Sequence, residues 1–246
     1  MTALASIAAV PQREAFSGAG FTVLPRLFAR EEIGWLADEA RAIGLLHGRH
    51  ADGTLSPEAP RGTVFGPHRH QRSFLDLALH PRLTARAGFG AAVRLHQTRL
   101  WPGGRRPVPA GVWCDGEAWQ RLDGLDPAGA VTAVVFLEDA GPGAGLFVWA
   151  EGTAPRDRAA QATAIPASPM LLSLPAGSVV LIRPTLFHAV ADGAAHPAPS
   201  LFFAGLVPDE PPRPLGRRRA PFVVELPVAA PRSDDCLWPT PYFVAG

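Results

Sequence analysis

The chain has 246 residues, a formal net charge of +1 and 47% hydrophobic residues, which is enough for one large domain, residues 1–246, with a full core. The near-zero charge gives no overall field that would attract nucleic acid or a membrane surface, so we expect neither as a partner. Only 2 cysteines are present, no run reaches the roughly 18 apolar residues of a membrane span, and all 23 basic residues are arginine. We therefore expect a reduced, cytoplasmic protein, and the arginine bias is typical of a GC-rich bacterial genome.

The N-terminal part of the chain predicts helices next to a short strand. Phe21–Leu24 is a short apolar run that a proline ends, which predicts a strand. A helix is predicted over Ala29–Leu46, where apolar residues recur at three- and four-residue steps, so that one face can pack on the outside of a sheet. Residues His47–Pro67 are polar and rich in glycine and proline, and they predict a loop. A second helix, interrupted by Pro81, is predicted over Phe74–Ala87.

The pattern changes to strands in the rest of the chain, where short apolar or alternating runs are separated by glycine and proline. This pattern predicts a mainly β protein with flanking helices. Eight strands fit a double-stranded β-helix, the jelly-roll or cupin-like core. The predicted strands are Arg94–Trp101, Val112–Trp119, Ala130–Leu137, Leu146–Ala150, Met170–Leu174, Ser178–Ile182, Leu201–Val207 and Phe222–Leu226.

The stretch Gly111–Pro127 carries the chemically most informative side chains of the sequence. If it begins as a strand, the period of two places four of them on one face: Trp113, Asp115, Glu117 and Trp119. Two carboxylates between two indoles are unusual for a surface strand. Apolar shape combined with a few polar groups is typical of a binding pocket, so the pattern predicts a pocket wall.

Two blocks of the sequence have the spacing of a known family. The first contains Asp115, Trp119 and Asp123-Gly124, and the second is Gly177-Ser-Val-Val-Leu-Ile-Arg-Pro-Thr-Leu-Phe-His188. With them the chain resembles the phytanoyl-CoA dioxygenase-like family, in the ectoine hydroxylase-like branch of the iron(II)/2-oxoglutarate oxygenase superfamily. Further matching blocks occur in the same order, at Gly20–Pro25, His96–Arg99 and Phe136–Asp139.

The resemblance also implies a fold and a set of site residues. The implied fold is the double-stranded β-helix. The implied metal ligands are Asp115 and His188, and Gln97 and Arg99 would lie on a strand that contacts co-substrate or substrate.

The chain departs from the family pattern at two positions that matter chemically. Trp113 stands where the family has a metal-binding histidine, and Pro199 stands where an arginine would bind the distal carboxylate of 2-oxoglutarate. An indole ring has an N–H donor but no lone pair for a metal. The facial triad of two histidines and one carboxylate is therefore reduced to Asp115 and His188.

Our leading hypothesis is a biosynthetic enzyme for a small natural product that works without iron(II) and 2-oxoglutarate. Asp115 would be the general acid if burial raises its pKa, and His188 the base near neutrality. Such a pair suits cyclisation, isomerisation or elimination. The residues expected to bind the small-molecule substrate are Trp113, Glu117, Trp119, Gln97 and Arg99.

Two alternatives remain open from the sequence. The first is an iron(II)/2-oxoglutarate-dependent hydroxylase with the substituted ligand set Asp115, Glu117 and His188, in which one of three arginines takes over the carboxylate of the co-substrate. The candidate arginines are Arg94, Arg99 and Arg183. The second is a non-catalytic binding protein that keeps the oxygenase fold, because a fold does not dictate a function.

Overall fold

The structure is a computed structural model, and it describes residues 20–47, 63–89, 92–104, 115, 127, 129–149, 169–193 and 195–209. Among these residues it contains three α-helices, nine β-strands and a short 3₁₀ turn, Pro67–Arg69. The helices are α1 (Arg30–His47), α2 (Arg72–Ala78) and α3 (Pro81–Arg86). The strands are β1 (Phe21–Leu24), β2 (Val64–Phe65), β3 (Val93–Trp101), β4 (Val131–Phe136), β5 (Gly145–Val148), β6 (Met170–Leu172), β7 (Val179–Ile182), β8 (His188–Ala191) and β9 (Leu201–Pro208).

The strands form two antiparallel sheets. The larger has six strands in the order β1-β7-β4-β9-β3-β2, and the smaller has three in the order β6-β5-β8. The order is non-sequential, so neighbouring strands come from distant parts of the chain. This mainly β architecture with flanking helices confirms the fold class that the sequence predicts.

The two faces of the larger sheet pack against different layers. Val131, Ala133 and Val135 of β4 belong to an apolar cluster that also contains residues of α1. Val134 and Phe136, which alternate with them, belong to a second cluster with residues of the smaller sheet. Helices therefore cover one face of the larger sheet and the smaller sheet covers the other, and we call the space between the two sheets the inner side. Burial of each large side chain stabilises the fold by about 1.5–3 kcal/mol.

A register shift in β3 decides which of its side chains face the inner side. Leu95 pairs with Leu206 and belongs to the helix-side cluster, but the pairing with β9 shifts before Gln97. A β-bulge of this kind inserts one residue and reverses the alternation beyond it. Trp101 accordingly belongs to the inner cluster. Arg99, two residues earlier, shares its side of the strand and faces the inner side.

The helices follow the sequence prediction closely. In α1 the apolar residues Ile33 and Leu36 are fully buried against the larger sheet, as the three-residue spacing predicts. The predicted interruption at Pro81 separates α2 from α3, since Pro81 occupies the first turn of α3, where its missing N–H costs nothing. His80 caps that helix, because its Nδ1 accepts a hydrogen bond from Arg82 N at 3.2 Å.

Some strand predictions differ from the structure. The predicted loop His47–Pro67 contains β2, and β8 was not predicted, because runs of two and four residues are too short to show a clear period. The predicted strand Phe222–Leu226 lies outside the described residues. None of the helices in the described part of the chain is long and apolar enough to cross a membrane.

Gly177 offers a test of the packing between β7 and the start of α1. Its φ is 84°, and a Cβ built there would lie 2.0 Å from the carbonyl oxygen of Phe28. Gly177→Ala should therefore lower the free energy of unfolding by about 2 kcal/mol or more, from backbone strain and a clash. Gly104→Ala is the matched control, because Gly104 has φ 89° but no atom within 4 Å. Equal losses in urea unfolding would show that the clash contributes nothing.

Because His80 is buried, we expect the protein to lose stability in acid. Burial, with a smaller contribution from the Arg82 charge, lowers the pKa of His80 from 6.5 to about 4. The unfolded chain then binds more protons than the folded one between these values, so stability is lost as pH falls from 6.5 towards 4. His80→Asn keeps an acceptor for Arg82 N but does not titrate, so its free energy of unfolding should fall less between pH 7.5 and pH 5 than that of the parent. Identical pH profiles of urea unfolding would contradict this.

Candidate active site on the inner side

The fold brings the two candidate catalytic residues into contact range. His188 opens β8 in the smaller sheet, and its ring is fully buried. Asp115, far away in sequence, is 2% exposed, and its Oδ2 lies 3.8 Å from His188 Nε2. The structure thus places the two predicted residues next to each other, and their catalytic role stays a prediction.

A third charged group, Arg99, lies in contact with both of them. Its Nη2 is 2.6 Å from Asp115 Oδ1 and 3.5 Å from His188 Nε2. The guanidinium carbon lies over the ring of Phe203, 4.9 Å from the ring centroid, and the His188 ring stacks on Phe203 at 6.0 Å with an interplanar angle of 24°. The Phe203 ring of β9 therefore contacts both the guanidinium and the imidazole. The guanidinium is attracted to the ring, because an aromatic face attracts a cation.

Hydrogen bonds fix the orientation of the carboxylate and the imidazole. Thr132 Oγ1 donates to Asp115 Oδ2 at 2.7 Å, so the two carboxylate oxygens have different partners, a hydroxyl and a guanidinium. His188 Nδ1 lies 3.1 Å from the carbonyl oxygen of Leu186, which can only accept. We therefore assign the ring proton to Nδ1, which leaves the lone pair of Nε2 facing Asp115 and Arg99.

Burial shapes the electrostatics of the site. It lowers the pKa of His188 to about 4; Asp115 opposes this shift and Arg99 adds to it. The imidazole is therefore neutral at neutral pH. This corrects the sequence-based expectation of a base that titrates near neutrality, because the sequence does not show that the ring is completely enclosed. Burial also lowers the pKa of Arg99, opposed by the charge of Asp115, but a guanidinium stays protonated in proteins.

The other predicted site residues have different outcomes. Gln97 lies on β3, the strand that carries Arg99, and pairs with Gly205 of β9. It is half-buried and faces the inner side, as Arg99 does. Trp113, Glu117 and Trp119 lie outside the described residues. The backbone at Asp115 is helical rather than extended, so the strand predicted over Val112–Trp119 does not run through it. A short run of alternating polar and apolar residues is compatible with a helix as well as a strand, and at Asp115 the tertiary contacts favour the helical backbone.

Two residues of the site were not predicted. Thr132 is the only polar residue of β4, and in the run Val-Thr-Ala-Val-Val-Phe its single hydroxyl on the inner side was a usable signal. Phe203 gave no such signal, since one more aromatic residue in an apolar strand looks like core. Only the pairing of Phe203 with Arg99 across β9 and β3 places it in the site.

Several solved structures share the fold around this site. The crystal structure of EctD from S. alaskensis with 2-oxoglutarate and 5-hydroxyectoine has a TM-score of 0.62 at 22% identity, covering 90% of this chain and 89% of that chain. The non-heme alpha ketoglutarate dependent epimerase SnoN from nogalamycin biosynthesis has a TM-score of 0.56 at 20% identity, covering 79% and 81%. HygX from Streptomyces hygroscopicus, with nickel and 2-oxoglutarate bound, has a TM-score of 0.53 at 17% identity, covering 84% and 88%.

These likenesses establish the fold of the chain and confirm the jelly-roll architecture that the family resemblance implies. No protein-family model matches the sequence, and no curated protein matches it either.

The described residues do not fit an iron ion in their present arrangement. Asp115 and His188 are two suitable donors, but the positively charged Arg99 contacts both of them. In the described part of the chain, no three His, Cys, Asp or Glu side chains come together as a metal site. Pro199 is flanked by Ala198 and by a serine, and Ala198 belongs to the apolar inner cluster, so these residues provide no charge for the distal carboxylate of 2-oxoglutarate.

The effects of substitutions at Arg99 and Asp115 on the free energy of unfolding should be strongly coupled. Removing one partner of a buried pair leaves an uncompensated charge, so Arg99→Met and Asp115→Asn should each lower the free energy of unfolding by about 3 kcal/mol or more. The double variant lacks both charges and should lose at least about 2 kcal/mol less than the sum of the single losses. Urea unfolding of the four proteins measures this coupling, and additive losses would show that the two charges do not interact.

Proposed function

We propose that this protein is an enzyme that rearranges a small organic molecule by acid–base chemistry, without iron(II) or 2-oxoglutarate. The observation that carries the proposal is the contact of Arg99 Nη2 with both Asp115 and His188. A carboxylate and an imidazole that are held by an internal guanidinium remain available for proton transfer, whereas they are poorly arranged to bind a metal ion. Cyclisation, isomerisation and elimination are the reaction types that fit, because each can move a proton within one substrate and needs no oxidant.

The described side chains divide the work of such a proton transfer. His188 Nε2 is 3.5 Å from Arg99 Nη2, too far for a strong hydrogen bond, and its lone pair would accept the proton, while Nδ1–H stays bonded to the carbonyl oxygen of Leu186. With a pKa of about 4, a protonated His188 would return the proton readily to a second position of the substrate. Asp115, whose Oδ2 is 3.8 Å from Nε2, would stabilise the transient imidazolium, and Arg99 and Thr132 hold that carboxylate in place. This division of roles moves Asp115 from the acid expected from the sequence to an electrostatic partner.

Proteins of this fold support the choice of substrate class. The structures of EctD and SnoN were determined with small organic molecules, 5-hydroxyectoine and nogalamycin RO, and SnoN is described as an epimerase. The fold therefore accommodates small molecules and a reaction other than hydroxylation. A natural-product substrate in a bacterial biosynthetic enzyme is the specific form of our proposal for this chain.

A second candidate function is an iron(II)/2-oxoglutarate-dependent hydroxylase with Asp115, Glu117 and His188 as ligands. It is favoured by one observation, namely that a carboxylate oxygen and an imidazole nitrogen face each other at 3.8 Å on the inner side. For this function Arg99 would have to leave Asp115 before a metal could bind. The two candidates therefore differ in their requirement for metal.

The deciding experiment screens small molecules against the purified protein and follows the hits by mass spectrometry. We expect a hit to be converted to an isomer, or to a product of elimination, in the presence of EDTA and in the absence of oxygen. His188→Gln should abolish conversion, because the Gln side chain offers no basic nitrogen, and Asp115→Asn should lower it by about 10²-fold or more. The control is Arg94→Gln, which should stay active. Arg94 lies on the same strand as Arg99, and its side chain forms an exposed ion pair with Asp209.

Other outcomes would overturn the proposal in distinguishable ways. Turnover that requires iron(II) and releases succinate would establish the hydroxylase. A hit that binds tightly and is recovered unchanged from all conditions would establish a binding protein.

A further inference from the structure

We propose that Arg99 is the resident cation of this site: it takes the place of a metal ion between Asp115 and His188 and restricts the site to uncharged small molecules. This inference rests on the proposed function in assuming that a small molecule binds on the inner side. It adds the reason why the site does without metal and the charge class of the ligand. It concerns Arg99 as a positioning and specificity residue.

The position of Arg99 is built into the fold. The β-bulge between Leu95 and Gln97 turns the later residues of β3 towards the inner side, and without it Arg99 would face the helices. The side chain is 7% exposed, and its guanidinium lies over the Phe203 ring and on Asp115 Oδ1. Moving this buried guanidinium away would cost a large free energy, because it would lose its ion pair with Asp115 and its contact with the Phe203 ring.

The contacts of Arg99 are those that a metal ion would need. A metal bound to Asp115 and His188 would lie between the carboxylate and the Nε2 lone pair, and Nη2 is 2.6 Å from the first and 3.5 Å from the second. A divalent cation there would meet the like charge of the guanidinium at close range in a poorly screened interior. Metal and Arg99 should therefore exclude each other.

The same pair leaves the described part of the site without a net charge. Arg99 and Asp115 compensate each other, and the guanidinium, 3.5 Å from His188 Nε2, disfavours a second positive charge on that imidazole, so these three groups bring no net charge. A dianion such as 2-oxoglutarate would bring its charge into this interior without a free counter-charge from them. An uncharged ligand carries no such penalty, and Gln97, half-buried on the inner side of the same strand, is placed to form a hydrogen bond with it.

The test measures metal binding rather than activity. Nickel(II) is titrated by calorimetry into the parent protein and into Arg99→Gln, whose amide can still contact Asp115 but carries no charge. We expect no measurable binding of nickel(II) to the parent. Arg99→Gln should bind nickel(II) with a dissociation constant at least about tenfold below the detection limit of the parent titration. Arg99→Lys, which keeps a positive charge, should stay like the parent. Binding by Arg99→Gln should disappear in the double variant Arg99→Gln/Asp115→Asn, which shows that Asp115 is the ligand.

Controls separate this effect from unfolding. Circular dichroism and the melting temperature of each variant report the fold, and Arg99→Met is the second uncharged variant if Arg99→Gln does not fold. Arg94→Gln removes a positive charge from the same strand at an exposed ion pair and should bind no more nickel than the parent. Nickel binding by the parent as tight as by Arg99→Gln would overturn the proposal, and so would folded, uncharged variants that bind none.

A second titration, with 2-oxoglutarate, tests the charge class of the ligand. The parent should not bind it, whereas Asp115→Asn, in which the Arg99 charge is uncompensated, should show heat of binding. Binding by the parent would refute the restriction to uncharged ligands even if the metal titration behaves as expected. Neither titration depends on turnover, so a failure of the proposed function that is seen as no conversion is a separate result, whereas metal-dependent activity of the parent would contradict both proposals.

Discussion

The buried ion pair between Arg99 and Asp115 is the interaction on which the candidate site depends. A charged pair inside a β-sandwich costs desolvation, and it is tolerated only where each charge has a partner and a fixed geometry. Here the guanidinium has a carboxylate at 2.6 Å and the face of Phe203, and the carboxylate has a second donor in Thr132. The neutral His188 completes the group by stacking on the same aromatic ring. Removal of any member would leave the others with an unmet requirement in an enclosed space.

The two-sheet architecture makes this group possible because it brings together strands that are far apart in sequence. Arg99 comes from β3, Thr132 from β4, Phe203 from β9 and His188 from β8. The first three strands are neighbours in the larger sheet, with β9 between β3 and β4, and the fourth lies in the smaller sheet that covers it. The inner side is apolar elsewhere, as the cluster with Trp101, Phe136 and Leu201 shows. The polar group is therefore a local exception inside a packed core, and such exceptions are typical of functional sites.

The likeness to EctD, SnoN and HygX gives a frame for this exception. These structures share the fold at 17–22% identity, and their descriptions name iron, nickel or 2-oxoglutarate. In this chain a carboxylate and an imidazole face each other inside the same architecture, but a guanidinium bridges them. The physical difference is between a mobile cation that the protein must bind and a cation that the chain itself supplies. A covalently attached cation cannot exchange ligands with a substrate as a metal does, and this is why the chemistry that we propose is proton transfer.

The sequence by itself determined the fold class, the main helix and most of the strands. The reason is that α1 is long enough for its three- and four-residue spacing to identify it, and that strands such as β4 and β7 are continuous apolar runs next to glycine or proline. The spacing of the family motifs also singled out Asp115 and His188, and it pointed to Arg99 as a residue of the site. Only the tertiary structure decided how these residues are related. The inward direction of Arg99 follows from a bulge in the pairing of β3 with β9, the pKa of His188 from complete burial, and the role of Phe203 from a neighbour across the sheet. Each of these depends on contacts between distant segments, which local sequence patterns do not encode.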